Sequence, residues 1–328
     1  MKHVLARIGQ AAVVLFVAFA ATFVLLQALP GDALMIKFEN PELGLSVEQI
    51  AALRESYGVD IPLPQQFWHT LTGFLAGDFG YSIQNGTPVT QMLAEAAPQT
   101  ITLAVTAFLL AVLIAVSLAF LSSLTRFAWL RGFLRGLPGV FVSVPVFWLG
   151  IVLIQVFSFQ LKLVPVIGAD PVQGLILPVL TLAVPISAPL AQILVRSIDE
   201  VELAPFVSVV RAKGASRRRV LWNNVAKNAI LPTVTIAGVL LGELIGGAVV
   251  TETVFGRTGI GRLTEQAVSA QDTPVLQAIV VLSALAFVLT NLAVDLLYPV
   301  LDPRLRRLSR GSAAPAPASA PVLEGAAA

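Results

Sequence analysis

Six stretches of this chain, about residues 9–29, 100–122, 136–158, 174–195, 232–251 and 276–301, are apolar almost throughout. A bilayer hydrocarbon core about 30 Å thick needs roughly 20 such residues in helical form, so each stretch is long enough to cross it. Apolar residues make up 56% of the chain and charged ones only 12%, whereas a soluble domain carries charge on about a quarter of its positions. The expected fold is therefore all-α: a polytopic membrane domain over residues 1–310 with six transmembrane helices. Pro178, Pro185 and Pro189 interrupt the fourth stretch and predict kinks there, tolerated where neighbouring helices or water satisfy the freed carbonyls. The first stretch follows Lys2 and Arg7. It is longer than the apolar part of a cleaved leader and lacks a small-residue cleavage site, so it reads as an uncleaved first span.

The charges orient these spans. With the N-terminus inside, sixteen of the 21 Lys and Arg residues fall in cytoplasmic segments and five (Lys37, Arg54, Lys162, Arg257 and Arg262) fall outside. That asymmetry follows the retention of positive charge on the cytoplasmic side, and six spans return the C-terminus to the same side. The pI of about 9.1 is explained by this arrangement and not by nucleic acid, since the net charge is only +2. Cysteine is absent, which excludes a disulfide framework, a thiolate metal site and a cysteine nucleophile. His3 and His69 are the only histidines, so no histidine-based metal cluster is expected.

Residues 30–98 form a long outer segment in which VEQIAALRESYGV has the spacing of a short amphipathic helix and LPQQFWHTLTGFLAGDFG follows. It is too apolar for a free linker and is expected to form a small cap on the outer face. Residues 311–328, GSAAPAPASAPVLEGAAA, are low-complexity Ala/Pro sequence and predict a disordered cytoplasmic tail.

The densest charge lies in a cytoplasmic loop at about 196–231, which holds Arg196, Arg211, Lys213, Arg217, Arg218, Arg219 and Lys227. APFVSVVRAKG predicts a short helix stopped by Gly214 at a left-handed position, with Arg211 and Lys213 in the last turn. Ser216 is placed to cap a second helix, RRRVLWNNVAKNAI, by accepting from a first-turn N–H. Arg217, Arg218 and Arg219 then occupy the first turn of that helix, where the macrodipole disfavours cations. Topology alone accounts for positive charge here; contact with an acidic partner surface or anionic lipid accounts for it as well. A helix–Gly–helix elbow is a compact knob suited to a cleft in another subunit.

This loop resembles the coupling loop of ABC-importer permeases, whose general pattern is EAA-x3-G-x9-I-x-LP. Gly214 matches the glycine and Ile230-Leu231-Pro232 the closing end, while Ser208-Val209-Val210 stands in place of EAA. Gly214 lies 18 residues before Pro232 instead of 13, and this longer form, with RAKG followed by a basic cluster and Leu-Trp, is similar to the dipeptide/oligopeptide branch. Four further landmarks agree in order: LPGDA at 29–33, GDFGYSIQNGTPV at 77–89, TETVFGRTGIGRL at 251–263 and NLAVDLLYPVLDPRLR at 291–306. The resemblance implies the type I importer transmembrane domain, in a bacterial inner (plasma) membrane, and a role as half of the pathway for peptides or similar small polar solutes. It implies as partners a second homologous permease, two cytoplasmic ATPase subunits that use ATP and Mg, and an extracytoplasmic substrate-binding protein. It also makes Val210, Arg211, Ala212, Lys213, Gly214, Ala215, Ser216 and Arg217 the residues that couple to the ATPase. The chain itself is expected to hold no cofactor and to catalyse no reaction.

The remaining residues fit that expectation. No G-x-x-x-x-G-K-[ST] phosphate loop occurs; GRTGIGR at 256–262 lacks the Lys-Ser/Thr end, faces outward, and reads as a structural turn. Glu243, near the middle of the fifth span, and Asp295, near the inner end of the sixth, are the ionisable residues within the six stretches, and such residues mark functional positions. Glu243 fits either a water-lined pathway, where it meets a substrate amine, or an interhelical hydrogen bond favoured by Gly238, Gly242, Gly246 and Gly247. Asp295 reads as structural, pairing with Asn291 or a terminal arginine. The competing class is an ion-coupled secondary transporter of a small solute. It would carry an internal repeat, which residues 1–160 and 161–310 do not display, and it leaves the basic elbow unexplained. An intramembrane protease would need a Ser/His or Asp/Asp pair within the spans, and a passive scaffold has no use for the elbow.

Overall fold

A computed structural model of the chain describes residues 2–27, 46, 48, 61–166, 168 and 170–301. The described residues are almost entirely helical, with one isolated antiparallel bridge between Tyr81 and Pro88. We number the helices α1 (Lys2–Gln27), α2 (Leu63–Ala76), α3 (Val89–Leu124), α4 (Ala128–Ser143), α5 (Val146–Leu153), α6 (Gln173–Glu202), α7 (Pro205–Ala212), α8 (Arg217–Val220), α9 (Ala226–Val254), α10 (Ile260–Ser269) and α11 (Thr273–Leu301). Single π-helical stretches extend α5 through Ile154–Gln160 and join α8 to α9 through Leu221–Val225.

Five helical segments, in α1, α3, α6, α8–α9 and α11, are long and apolar enough to cross a membrane, and a bent pair makes six when counted as one span. That pair covers the span expected over 136–158, and it is bent: α4 and the α5 helix meet at 101°. Pro145 is the cause. It cannot donate to the preceding turn and drives Val144 out of the helical region, and Val144 has φ −90°, ψ 119°. In α6, by contrast, the helix continues without a break through Pro178, Pro185 and Pro189.

The core is a seam between α3 and α6. On α3, Ala104, Ala107, Ala111, Ala115 and Ala119 recur every three or four residues and are buried; Ala111 and Ala115 cluster with Ala183 and Ala191 of α6, Ala104 and Ala107 with its Leu182, and Ala119 with its Leu194 and Ile198. Small side chains allow two membrane helices to approach closely, which substitutes for the hydrophobic drive that lipid does not provide. Outside this seam, α9 packs against α11 at Gly242, where any Cβ would strike the ring of Phe287.

The elements sort to two ends. The start of α3, the end of α9, α10 and the start of α11 share one end with the turn at 80–88. The ends of α3 and α6, together with α7 and α8, form the other. Apart from Glu48, the amphipathic segment at 47–59, and the LPGDA landmark and the tail at 311–328, lie outside the described residues.

Candidate functional site

The basic elbow is built by two local capping motifs back to back. After α7, the Gly214 N–H donates to the Arg211 carbonyl at 2.9 Å and the Ala215 N–H to the Val210 carbonyl at 3.4 Å, with Gly214 at φ +83°. These two bonds are the Schellman pattern, which uses up the carbonyls that a helix end leaves free, and only glycine adopts that φ without cost. Two residues on, the Ser216 hydroxyl accepts from the Arg219 N–H at 3.4 Å and begins α8. The chain therefore reverses at Lys213–Ser216 through defined backbone hydrogen bonds.

An apolar root ties the elbow to the bundle. Val207, Val220, Leu221 and Val225 are buried against Ala119 of α3 and Leu194 and Ile198 of α6. Trp222 stacks on Phe120 with ring centroids 4.3 Å apart. The polar residues point the other way: Arg211, Lys213, Arg217, Arg218 and Arg219 are exposed, and of these Arg211 pairs with Glu202 at 3.3 Å. All eight residues assigned to this site from the sequence, Val210 to Arg217, thus sit together on one projecting turn. It is a knob whose base is packed on α3 and α6. A groove of about 330 Å³ opens beside it between α4 and α6; its charges are already matched, Arg135 with Asp199 at 2.8 Å and Arg196 with Glu200 at 2.9 Å.

Glu243 occupies a different setting. Along α9, Pro232, Thr235, Val239, Glu243, Gly246 and Val250 recur at three- or four-residue spacing, and all are exposed. Among the described residues Glu243 has no hydrogen-bond or ion-pair partner. Gly238 and Gly242 face inward and serve packing, whereas Gly246 and Gly247 are exposed with open space at the Cβ position. The stripe is narrow and mixed in polarity, unlike the apolar faces of its neighbours. Asp295 falls within α11, but its side chain lies outside the described residues.

Sequence reasoning missed a third carboxylate. Glu252, in the last turn of α9, is completely buried. Its carboxylate accepts from the Gly261 N–H at 2.7 Å, the Arg262 N–H at 3.3 Å and the Thr100 hydroxyl at 2.6 Å, and Thr100 in turn accepts from the Ile260 N–H at 2.8 Å. These N–H groups are the orphan donors of the first turn of α10, which Gly259 cannot cap itself. Gly259 and Gly261 lie so close to Glu252 that a Cβ at either would collide with its carboxylate. Nearby, buried Asp272 accepts from the Ser82 hydroxyl and from the Ile83 and Gln84 N–H groups, the latter two at 3.2 and 3.4 Å. Arg257 adds a clasp, donating to Gln99 at 2.9 Å and to the Gly174 carbonyl at 3.2 Å. The GRTGIGR turn is thus structural; Glu252 holds the landmark at 251–263 and Asp272 the one at 77–89, and these two buried carboxylates with their partners make up a polar knot at this end. The clue in the sequence is an acidic residue closing an apolar run just before a Gly-x-Gly.

Comparison with known proteins gives a consistent picture. The family described as "Binding-protein-dependent transport system inner membrane component" matches residues 107–307, and its N-terminal companion family matches residues 1–104. The glutathione transport system permease protein GsiC of Salmonella typhimurium (strain LT2) is 36% identical over 306 residues, covering 93% of this chain and 99% of that protein. The protein of the same name from Escherichia coli (strain K12) is 35% identical over the same length. Among solved structures, a MetNI methionine ABC transporter in an inward-facing conformation superposes with a TM-score of 0.56 at 19% identity, over 65% of this chain and 97% of that one. That likeness concerns the fold.

Proposed function

The chain belongs to the family of binding-protein-dependent transport system inner membrane components and is a multi-pass permease of an ABC importer; from that premise we propose how its parts divide the work. The elbow at Val210–Arg217 docks in a cleft of a cytoplasmic ATPase subunit and carries that subunit's motion into α3 and α6. The observation behind this is the pairing of a hydrogen-bonded turn with a buried apolar root: a flexible loop would absorb a displacement, whereas this one passes it to the helices it is packed on. Exposed Lys213 and Arg217–Arg219 supply charge for an acidic rim on the partner. ATP and Mg are used in two such ATPase subunits and not by this chain. A second permease supplies the other half of the pathway, and an extracytoplasmic binding protein delivers the substrate. Both termini and the elbow are cytoplasmic, the polar knot extracytoplasmic.

The stripe on α9 lines the water-filled pathway. A carboxylate facing hydrocarbon at mid-helix costs about 2.5–3.5 kcal/mol, and facing the second permease across water removes that cost. Glu243 then meets the ammonium group of a small peptide. The glutathione permeases that resemble this chain handle such a molecule, a short peptide with one free amine, and we assign this chain to the same substrate class, with dipeptides as its neighbours. An ion-coupled mechanism is not favoured, because the family is one of binding-protein-dependent systems.

The chain has no cysteine, so a single Ala215→Cys substitution gives a clean probe. With a cysteine placed in the docking cleft of the partner ATPase, cross-linking through Ala215→Cys is expected and should change between nucleotide-free and ATP-bound states. Absence of any link, together with uptake driven by a proton or sodium gradient without ATPase subunits, would overturn the coupling role.

A further inference from the structure

The segment before the knot does not sit where an aqueous cap would. Phe67 of α2 lies against Phe16, Phe19 and Phe23 of α1, with ring centroids 6.3, 5.5 and 5.3 Å apart. Phe74 reaches Phe19 as well, at 5.2 Å. Phe67 and Phe74 are separated by about 10 Å along their own helix axis, yet both meet the same residue of α1, so α2 crosses α1 instead of running alongside it. The level of the crossing is also fixed. The part of α1 apolar enough to cross a membrane is Arg7–Leu26, and Phe19 lies seven residues, or about 10 Å, inside its far end. That is the depth at which interfacial helices bury their apolar faces.

The surface of α2 is divided to match. Phe67 and Phe74 face α1. Beside them Pro64, Trp68, Leu71 and Leu75 form a second apolar row at three- and four-residue spacing, with Trp68 61% and Leu75 80% exposed. Gln65, His69 and Thr72 border this row on the side turned away from Phe67 and Phe74. The helix is closed at both ends, with Pro62 and Pro64 removing N–H groups from its start and Gly77, at φ +82°, ending it through Asp78 N–H to Gly73 carbonyl at 2.9 Å. The Thr70 and Thr72 hydroxyls donate back to the Gln66 and Trp68 carbonyls at 2.8 and 2.9 Å, so neither needs water. The apolar row continues directly into the lipid-facing surface of α1 through half-exposed Phe16.

We propose that α2 is a monotopic helix seated in the extracytoplasmic leaflet, with Pro64, Trp68, Leu71 and Leu75 in contact with phospholipid and Gln65 and His69 at the headgroups. Its occupant is lipid, because the row extends a lipid-exposed face and carries no charge for a protein partner to read. The assignment to that leaflet rests on the proposed orientation. In this role α2 braces the far half of α1, whose most buried side chains, Phe19 and Phe23, are the ones it touches, and it anchors the turn at 80–88 to the membrane.

The test uses the assembled transporter in liposomes with one cysteine at a time, Gln65→Cys, Trp68→Cys, His69→Cys or Leu75→Cys, each carrying a nitroxide. Labels at 68 and 75 should collide with oxygen several-fold more than with a water-soluble nickel chelate, and labels at 65 and 69 should reverse that order. Equal access of the chelate to all four would make α2 an aqueous cap, and shielding of 68 and 75 from both reagents would make the row a protein interface; either result overturns the proposal. Asn85→Cys checks orientation separately, since a membrane-impermeant maleimide should modify it from outside. Modification only from within would refute the leaflet while the collision data still report whether α2 meets lipid.

Discussion

The two ends of this permease solve the same problem, where helices stop, with opposite chemistry. At the knot, buried Glu252 and Asp272 each accept from a hydroxyl far away in sequence as well as from backbone N–H groups: Glu252 and Thr100 are 152 residues apart, Asp272 and Ser82 190. At the elbow, Gly214 and Ser216 satisfy donors and acceptors within a few residues, the burial is apolar, and the cations are left in water. A buried hydrogen-bonded network costs a great deal to disturb, because the partners left behind are unsatisfied and out of reach of water. A locally capped, exposed turn costs little to alter. The knot end is therefore built to keep its shape, and the elbow end is held by local hydrogen bonds with its charged surface left exposed.

The most severe test of this contrast is Glu252→Ala. It strands the Gly261 and Arg262 N–H groups and the Thr100 hydroxyl, at about 1–3 kcal/mol for each buried group left unpaired, and a loss of roughly 3 kcal/mol or more is expected. The readout is the thermal midpoint of the purified chain in detergent together with its yield in the membrane. Glu252→Gln should also fail to restore stability where the new amide nitrogen faces the Gly261 N–H. Asp272→Ala comes next, with an expected loss of about 2 kcal/mol. Since its partners all lie in the turn at 82–84, the loss should appear first as proteolysis in that turn. A midpoint unchanged in either variant would mean that the knot is not what holds this end.

The elbow should respond the other way, in transport before stability. Gly214→Trp forces a bulky residue into a left-handed backbone at about 1–2 kcal/mol, and nothing lies within 4 Å of its Cβ position to clash. Membrane insertion and most of the thermal midpoint should survive while ATP-driven uptake is lost by an order of magnitude or more. If insertion were lost instead, Gly214 would be a folding residue and the contrast between the two ends would collapse.

This difference also explains what could be read from the sequence. The apolar runs report themselves, because 20 residues of hydrocarbon have no other stable environment. The elbow was legible for a related reason: its determinants, Gly214 and Ser216, act on neighbours within five residues. The bend at Pro145 was not, since a hydropathy run does not register a backbone break, although the residue before a proline is a known boundary. Glu252 was hidden because its partners come together only once α3, α9 and α10 are packed. Placing the fifth span's end at 251 also left it one residue outside. For Glu243 the sequence left two environments open, and the structure shows it without a partner among the described residues.

The smallest expected change in stability belongs to the three arginines that open α8. Arg217, Arg218 and Arg219 are exposed, and none has a carboxylate partner among the described residues. Each stands where the helix dipole already presents positive charge, so replacing all three by alanine relieves repulsion and removes no internal contact. Surface changes of this kind alter stability by no more than about 0.5 kcal/mol, and here the sign should be slightly favourable. Yet the same substitution removes three cations from the face that the ATPase subunit is proposed to grip. The triple variant should bind that subunit more weakly, with the deficit against the native chain shrinking as salt screens the native contact. Binding measured across a salt series alongside the thermal midpoint separates the two effects. A loss of stability with unchanged binding would assign these arginines to the fold, and unchanged values of both would leave membrane orientation as their whole purpose.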